Sequence, residues 1–226
     1  MVIAIRTITS NMKKITQFLF LMAFLSGFIA QAQTHLYENP KFDELAKDHK
    51  NIAILPFKTK IELRPKQMEK LESGQLEEMQ KSEAESLQEA MHSWFLKRKK
   101  RGTLAIDVQQ PSRTRTLLLK QNINSENIDT YTPEELAQIL EVDAIISGTY
   151  ETNKPMSEGA SVALGLLIGV WGRTNSAVVN MNINNSGDGE LLWNYNKKVS
   201  GSFGSNSDDL INVLMRKASR RLAYTK

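Results

Sequence analysis

The sequence predicts an α/β fold, a central mixed sheet of three parallel strands plus an antiparallel hairpin, flanked by helices. Three observations predict it. Leu140 to Thr149 is a nearly unbroken apolar stretch, the composition of a strand buried on both faces in the middle of a sheet. Two earlier apolar runs, Asn51 to Phe57 and Thr103 to Val108, are separated from it and from each other by helical segments, and strand–helix–strand repetition implies parallel pairing through right-handed crossovers. Val179, Met181 and Ile183 alternate with Asn180, Asn182 and Asn184, and after the turn residues Asn185 to Gly189 a second alternation runs through Leu191, Trp193 and Tyr195. That is an antiparallel hairpin with one wet face.

Each element follows from its local chemistry. Asn39-Pro40 starts a short helical turn whose Phe42 and Leu45 cover one end of the core. Asn51 to Phe57 is apolar throughout and is stopped by Pro56. Pro65 to Lys100 is the longest helical signal, free of internal proline, with a sparse first half and a buried face at Leu87, Ala90, Met91, Trp94 and Phe95. Thr103 to Val108 is the second strand, followed by a helix through Thr116 to Leu119 and a polar loop from Gln121 to Asp129. Thr132-Pro133-Glu134-Glu135 carries a capping hydroxyl, a first-turn proline and a glutamate three residues on, a capping box that opens the helix before the central strand. The last helix is expected from Ser207, with Leu210, Ile211, Leu214, Ala218 and Leu222 on its buried face and Arg220 and Arg221 at its negative end.

The amino terminus has the pattern of an export signal. Lys13-Lys14 precede an apolar run from Phe18 to Ala30, and Ala30-Gln31-Ala32 offers small-x-small cleavage before Gln33. Residues 1–32 are therefore expected to be a signal peptide and 33–226 a single α/β envelope domain; a start at Met12 would give a signal of more usual length. The formal charge of +4 reflects this segment: Arg6, Lys13 and Lys14 belong to it, and the other 26 basic residues face 25 acids. So balanced a chain has no general field for phosphates, and no nucleic-acid partner is expected. Cysteine is absent, which excludes a lipobox, disulfides and thiolate metal sites.

Motifs for chemistry are scarce. The chain contains no Gly-x-Ser-x-Gly elbow, no phosphate loop and no His-Glu-x-x-His; His35, His49 and His92 have no ligand spacing, and the oxygen-rich Asn185 to Glu190 is accounted for by a turn. No catalytic residue, cofactor or metal is assigned. Lys97 to Arg101 followed by Gly102 has two readings, cations complementing a helix end before a left-handed cap or a patch for an anionic ligand. Ser157 to Gly172 is the stretch that points outward in function. Ser161, Gly165 and Gly169 stand four apart, so a helix here would carry a small-residue stripe open to another backbone. Gly165, Leu166, Leu167, Ile168, Gly169, Val170 and Trp171 are the candidate contact residues for a partner or a membrane surface, against the alternative that they pack on the protein's own sheet.

Three separated segments, Ile52-Ala53-Ile54-Leu55-Pro56-Phe57, Val142 to Thr149 and Gly189-Glu190-Leu191-Leu192-Trp193, resemble the envelope α/β domains typified by the curli secretion channel subunit, found also at the amino end of TolB and in outer-membrane lipoprotein activators of penicillin-binding proteins. The resemblance spans Ile52 to Leu222 and implies a fold and a compartment rather than an enzyme. The chain departs from that group in having no cysteine for a lipid anchor and no two long alternating segments matching the channel's membrane hairpins. The expectation is a non-catalytic exported accessory protein of a Gram-negative-type envelope, periplasmic or outer-membrane-associated, or else secreted, that binds an envelope protein, a second copy of itself or the outer-membrane surface. The alternative is a small-ligand binder or hydrolytic enzyme with its site at the carboxyl ends of the parallel strands, around Lys58 to Arg64 and Gln109 to Arg115. Amino-terminal sequencing of the protein from its host's envelope fraction is expected to read from Gln33; protein beginning at Met1 or Met12 in the cytoplasm would remove the export reading.

Overall fold

The structure, a computed structural model, describes residues 34–153, 175–201 and 207–225. Along this chain run β1 (Thr34–Glu38), α1 (Phe42–Leu45), β2 (Asn51–Ile54), β3 (Lys58–Ile61), α2 (Pro65–Met68), α3 (Gln75–Lys100), β4 (Asp107–Val108), α4 (Pro111–Lys120), α5 (Pro133–Leu140), β5 (Ala144–Thr152), β6 (Asn175–Asn185), β7 (Leu191–Gly201) and α6 (Ser207–Ser219). The seven strands form one mixed sheet in the order β1-β7-β6-β5-β2-β4, with β3 also on β5. The predicted class stands: β2, β4 and β5 are the three parallel strands expected, β3 adds a fourth on β5, and β6 and β7 are the antiparallel hairpin.

β5 is the axis of the sheet. It pairs in parallel with β2 and then β3 along one edge and antiparallel with β6 along the other, Ile146 lying opposite both Ile54 and Ile183. β2 and β3 are one polypeptide track interrupted at Leu55 to Phe57, where Pro56 lacks the N–H a ladder needs. Gly148 sits beside this interruption because nothing larger fits. A Cβ there would lie 2.7 Å from the Asn180 carbonyl oxygen and 2.7 Å from the Phe57 ring.

The sheet's two faces carry separate cores. Ile52, Ile54, Ile146, Tyr150, Val179, Met181, Ile183, Trp193 and Tyr195 face Leu87, Met91 and Phe95 of α3 and Leu214, Met215 and Ala218 of α6. Ala53, Leu55 and Ile145 face Leu118 of α4 and Leu136, Ala137 and Leu140 of α5. The capping box forms as predicted: the Glu135 backbone N–H donates to the Thr132 hydroxyl at 3.3 Å, and the Thr132 backbone N–H donates to the Glu135 carboxylate at 2.8 Å.

Four details differ from the sequence reading. The helix expected over Pro65 to Lys100 is two, because Gly74 takes φ +81° and breaks the run before Gln75. The sparse first half of this segment, which its few apolar residues would leave projecting or loosely packed, docks instead, Met79 packing with Ile61 of β3. The strand expected over Thr103 to Val108 is reduced to Asp107–Val108; Leu104 bridges only Thr225, and Leu104 and Ile106 bury their side chains in the larger core. In the hairpin a register shift between Ile183 and Asn184 adds one residue to β7, so Leu192 is buried as well as Trp193.

Two predictions follow from packing. Ile145 is 1% exposed, and Ile145→Asp places an unpaired carboxylate there at a cost of several kcal/mol against a typical total of about 5–15 kcal/mol. The variant is expected to lose its cooperative melt, and a parental melt would show that β5 is not central. His92 is half-buried on α3, and its Nε2 finds no hydrogen-bond partner. Burial lowers its pKa from the usual 6.5, against opposing influences from Glu89 and the Val108 backbone. The unfolded chain therefore binds a proton that the folded chain resists, so stability is full above about pH 6.5 and falls as the pH drops below it. Urea titrations at about pH 7 and about pH 5 are expected to show a smaller acid loss in His92→Gln than in the parent.

Candidate functional site

The candidate contact residues Gly165, Leu166, Leu167, Ile168, Gly169, Val170 and Trp171 lie outside the described residues. The strands that carry them are described. β5 ends at Thr152 and β6 begins at Asn175, and these two strands are antiparallel neighbours, Thr152 lying opposite Ala177. The chain thus leaves and re-enters the same end of the sheet, with residues 153–174, 22 in all, between adjacent strands. The base of this excursion is held by polar bonds. The Ser176 backbone N–H donates to the Asn153 side-chain oxygen at 3.0 Å, the Asn153 backbone N–H to the Ser176 carbonyl at 3.4 Å, and the Thr152 hydroxyl to the same carbonyl at 3.3 Å. On the other flank, the Glu62 backbone N–H donates to the Thr152 carbonyl at 2.8 Å. Beneath lies Tyr150, fully buried, whose hydroxyl pKa is pushed far above the ordinary range by burial and further by Glu83 of α3. Such a phenol stays neutral at physiological pH.

The strand-end loops of the alternative reading are differently built from what the sequence suggested. Half of Lys58 to Arg64 is strand β3, drawn into the sheet by its pairing with β5. Lys58 is in an ion pair with Asp129, and Lys60 with Glu62 at 3.2 Å. In Gln109 to Arg115 the buried side chains of Gln109 and Thr114 are bonded inside the fold, whereas Arg113 pairs on the surface. Gln109 is buried, donates to the Leu140 carbonyl at 2.8 Å and accepts from the Thr114 hydroxyl at 2.8 Å. Arg115 donates to Gln88 at 2.7 Å and to Glu89 at 2.9 Å, and Arg113 to Glu141 at 2.7 Å. These bonds tie α4 to α3 and α5; they do not converge on an open cleft.

The opposite end of the sheet holds a polar knot that sequence spacing did not show. His49 Nδ1 meets the Tyr224 hydroxyl at 2.7 Å and its Nε2 meets the Asn185 side-chain oxygen at 3.1 Å. Asp143 accepts the backbone N–H groups of Lys50 and Asn51 at 2.7 and 2.9 Å, and burial raises the Tyr224 pKa, with Asp143 adding to it. The knot closes the start of β2 and β5 under the hairpin turn. Asp188 likewise serves that turn, accepting from the Asn185 side chain at 2.8 Å and the Glu190 backbone at 3.0 Å. Among the described residues no group of acids and histidines is placed to hold a metal ion.

Two further surfaces belong to the same body. On the hairpin's wet face Asn194 donates to Asn180 at 2.8 Å and to Asn182 at 2.6 Å, a cross-strand amide ladder foreshadowed by the alternation of asparagines. At the sheet's edge β1 leaves Leu36 and Tyr37 exposed at 46% and 44%. Polar, unpatterned Thr34 to Glu38 gave no strand signal. Among the described residues no helix is long and apolar enough to cross a membrane.

No protein-family model matches the chain, and no curated protein matches it. Solved structures similar to it include two PelC dodecamers from Paraburkholderia phytofirmans, each 12% identical and covering 87% of this chain and 100% of theirs, at TM-scores of 0.46 and 0.47. Lipoprotein GNA1162 from Neisseria meningitidis is 14% identical, with 77% of this chain and 98% of its own covered, at 0.44. The LpoB C-terminal domain from Salmonella enterica is 7% identical, with 73% and 94% covered, at 0.31.

Proposed function

We propose that this protein is a non-catalytic, exported accessory protein of a Gram-negative-type cell envelope, which uses residues 154–174 to engage a protein partner, a second copy of itself or the outer-membrane surface. The observation that carries the reading is the length and composition of the β5–β6 connection. Adjacent antiparallel strands need only about two to five residues to join them, and connections beyond about 12–15 residues are uncommon, being usually either functional or linker segments. This one has 22 residues between clamped ends and includes Leu166, Leu167, Ile168, Val170 and Trp171. Gly165 and Gly169 would let another backbone approach closely, and the large apolar side chains would supply contact area.

The internal hydrogen bonds of Gln109 and Thr114, and the bond from Arg115 to buried Gln88, support the non-catalytic reading over a small-ligand enzyme at the strand ends. Those side chains would have to give up partners to meet a substrate, leaving buried polar groups unpaired. The contact needs no cofactor.

A Leu167→Asp, Trp171→Asp pair tests the proposal directly. The expected result is a parental circular dichroism melt together with loss of the species that a photocrosslinker at position 168, unchanged in the variant, captures in cells. Identification of that species as this chain, another envelope protein or lipid assigns the partner. A pair of substitutions that unfolds the domain would make the segment core and end the proposal.

A further inference from the structure

The sequence shows one basic run, Lys97 to Arg101; the fold adds a second. α3 and α6 lie side by side and point the same way, because Trp94 donates to Asn212 at 3.2 Å while Arg98, one turn on, donates to the Ser219 hydroxyl at 2.9 Å and the Arg216 carbonyl at 3.5 Å. Their carboxyl ends therefore come together. Lys97, Lys100, Arg101, Arg216 and Arg220 are exposed there around the half-buried Arg98. Lys99 is in an ion pair with Asp107 of β4, whereas among the described residues none of those five exposed cations is in an ion pair. Burial lowers the Arg98 pKa, and Arg220 and Arg101 lower it further.

Two helix ends offer partial negative charge that offsets some of this crowding, but six cations exceed what two half-charges need. The chain from Gln33 onward is nearly neutral, so this concentration is a placement and not a by-product of composition. The patch is open, suited to many anions in a plane and not to one enclosed phosphate. Its aromatic residue is unavailable for stacking on a base or sugar, since the Lys97 ammonium lies 4.3 Å above the Trp94 ring centroid and the indole N–H is bonded to Asn212. An apolar side chain is available instead: Leu96 stands 49% exposed among the lysines. Cations beside an exposed leucine are the composition of an interfacial membrane contact.

We propose that the joined carboxyl ends of α3 and α6 dock on an anionic phospholipid surface, with Lys97, Lys100, Arg101, Arg216 and Arg220 over the headgroups and Leu96 entering the interface. This contact lies at the start of the parallel strands, since Lys99 meets Asp107 and β4 pairs with the opening of β2. The β5–β6 excursion leaves from the other end. The protein then has two contact surfaces at opposite ends of one sheet and can hold both at once.

The test is co-sedimentation of the folded unit Gln33–Lys226 with vesicles of phosphatidylcholine mixed with phosphatidylglycerol, and with vesicles of phosphatidylcholine alone. Binding is expected only to the mixed vesicles and is expected to weaken as salt is raised. The exposed quadruple variant Lys97→Gln, Arg101→Gln, Arg216→Gln, Arg220→Gln keeps Arg98 and its bonds to α6, so its melt should be parental. Its affinity should fall roughly fivefold for each cation removed. Leu96→Ser should weaken binding with all charges present. The proposal is overturned if the quadruple variant binds as the parent does, if binding is lost instead with Leu167→Asp, Trp171→Asp, or if soluble dextran sulfate binds as tightly as vesicles and Leu96→Ser changes nothing. The second outcome would leave the excursion as the only membrane contact, so failure here is separable from failure of the function proposed above.

Discussion

Burial of β5 on both of its faces and both of its edges is the constraint on which the remaining structure depends. A strand with a parallel neighbour on one side and an antiparallel one on the other must present apolar side chains both ways, which Ala144, Ile145 and Ile146 do. It must also leave room where its neighbours crowd. At Gly148 the β2–β3 track is interrupted, Phe57 swings over the strand, and the β6 backbone closes from the other side. A side chain at that position would push apart β3 or β6, and with them the end of the sheet from which the long connection departs.

The polar groups follow the same economy. Helices α3, α4 and α5 are tied across the sheet by Gln88 donating to the Ile54 carbonyl at 2.5 Å, Gln109 to Leu140 and Arg115 to Gln88. Each satisfies a buried backbone carbonyl or amide that would otherwise cost about 1–3 kcal/mol unpaired. Residues of this type at the carboxyl ends of parallel strands are usually where an α/β protein keeps its ligand-binding groups. Here they are consumed as fasteners, which moves the search for function outward, to the connection and the surface.

How far the sequence could be read differs by element, for physical reasons. Periodicity and caps are local, so the α5 capping box, the β5 strand and the β6–β7 hairpin were legible from the residues. The break at Gly74 was obscured by its helix-favouring surroundings, and β1 by side chains that face solvent and so carry no alternation. Leu104 and Ile106 read as strand because they are apolar, but they serve the core beside Tyr224 and Leu104 pairs only with Thr225. The candidate contact residues Gly165 to Trp171 were found by composition alone; what the fold adds is that the two strands bordering them are neighbours. The second half of the basic patch was invisible, because Arg216 and Arg220 stand more than a hundred residues from Lys97 and come together with it only when α6 follows β7 back along α3.

That return path also explains why the cations gather at the end of the sheet opposite the one from which the β5–β6 connection leaves. β7 runs antiparallel to β6 and finishes beside the start of β6, so the helix after it must travel down the sheet. α3 makes the same descent after β3, to reach the start of β4. Two descending helices end at one level, and each has cations in its last turns to oppose its own dipole. Local helix chemistry, repeated in two elements brought parallel by the topology, therefore builds a basic surface that neither helix has alone. The connection between β5 and β6 is confined to the other end by the same antiparallel pairing. Under the two proposals made above the body would bridge two surfaces, the β5–β6 connection leaving from one end of the sheet and the exposed cations standing at the other.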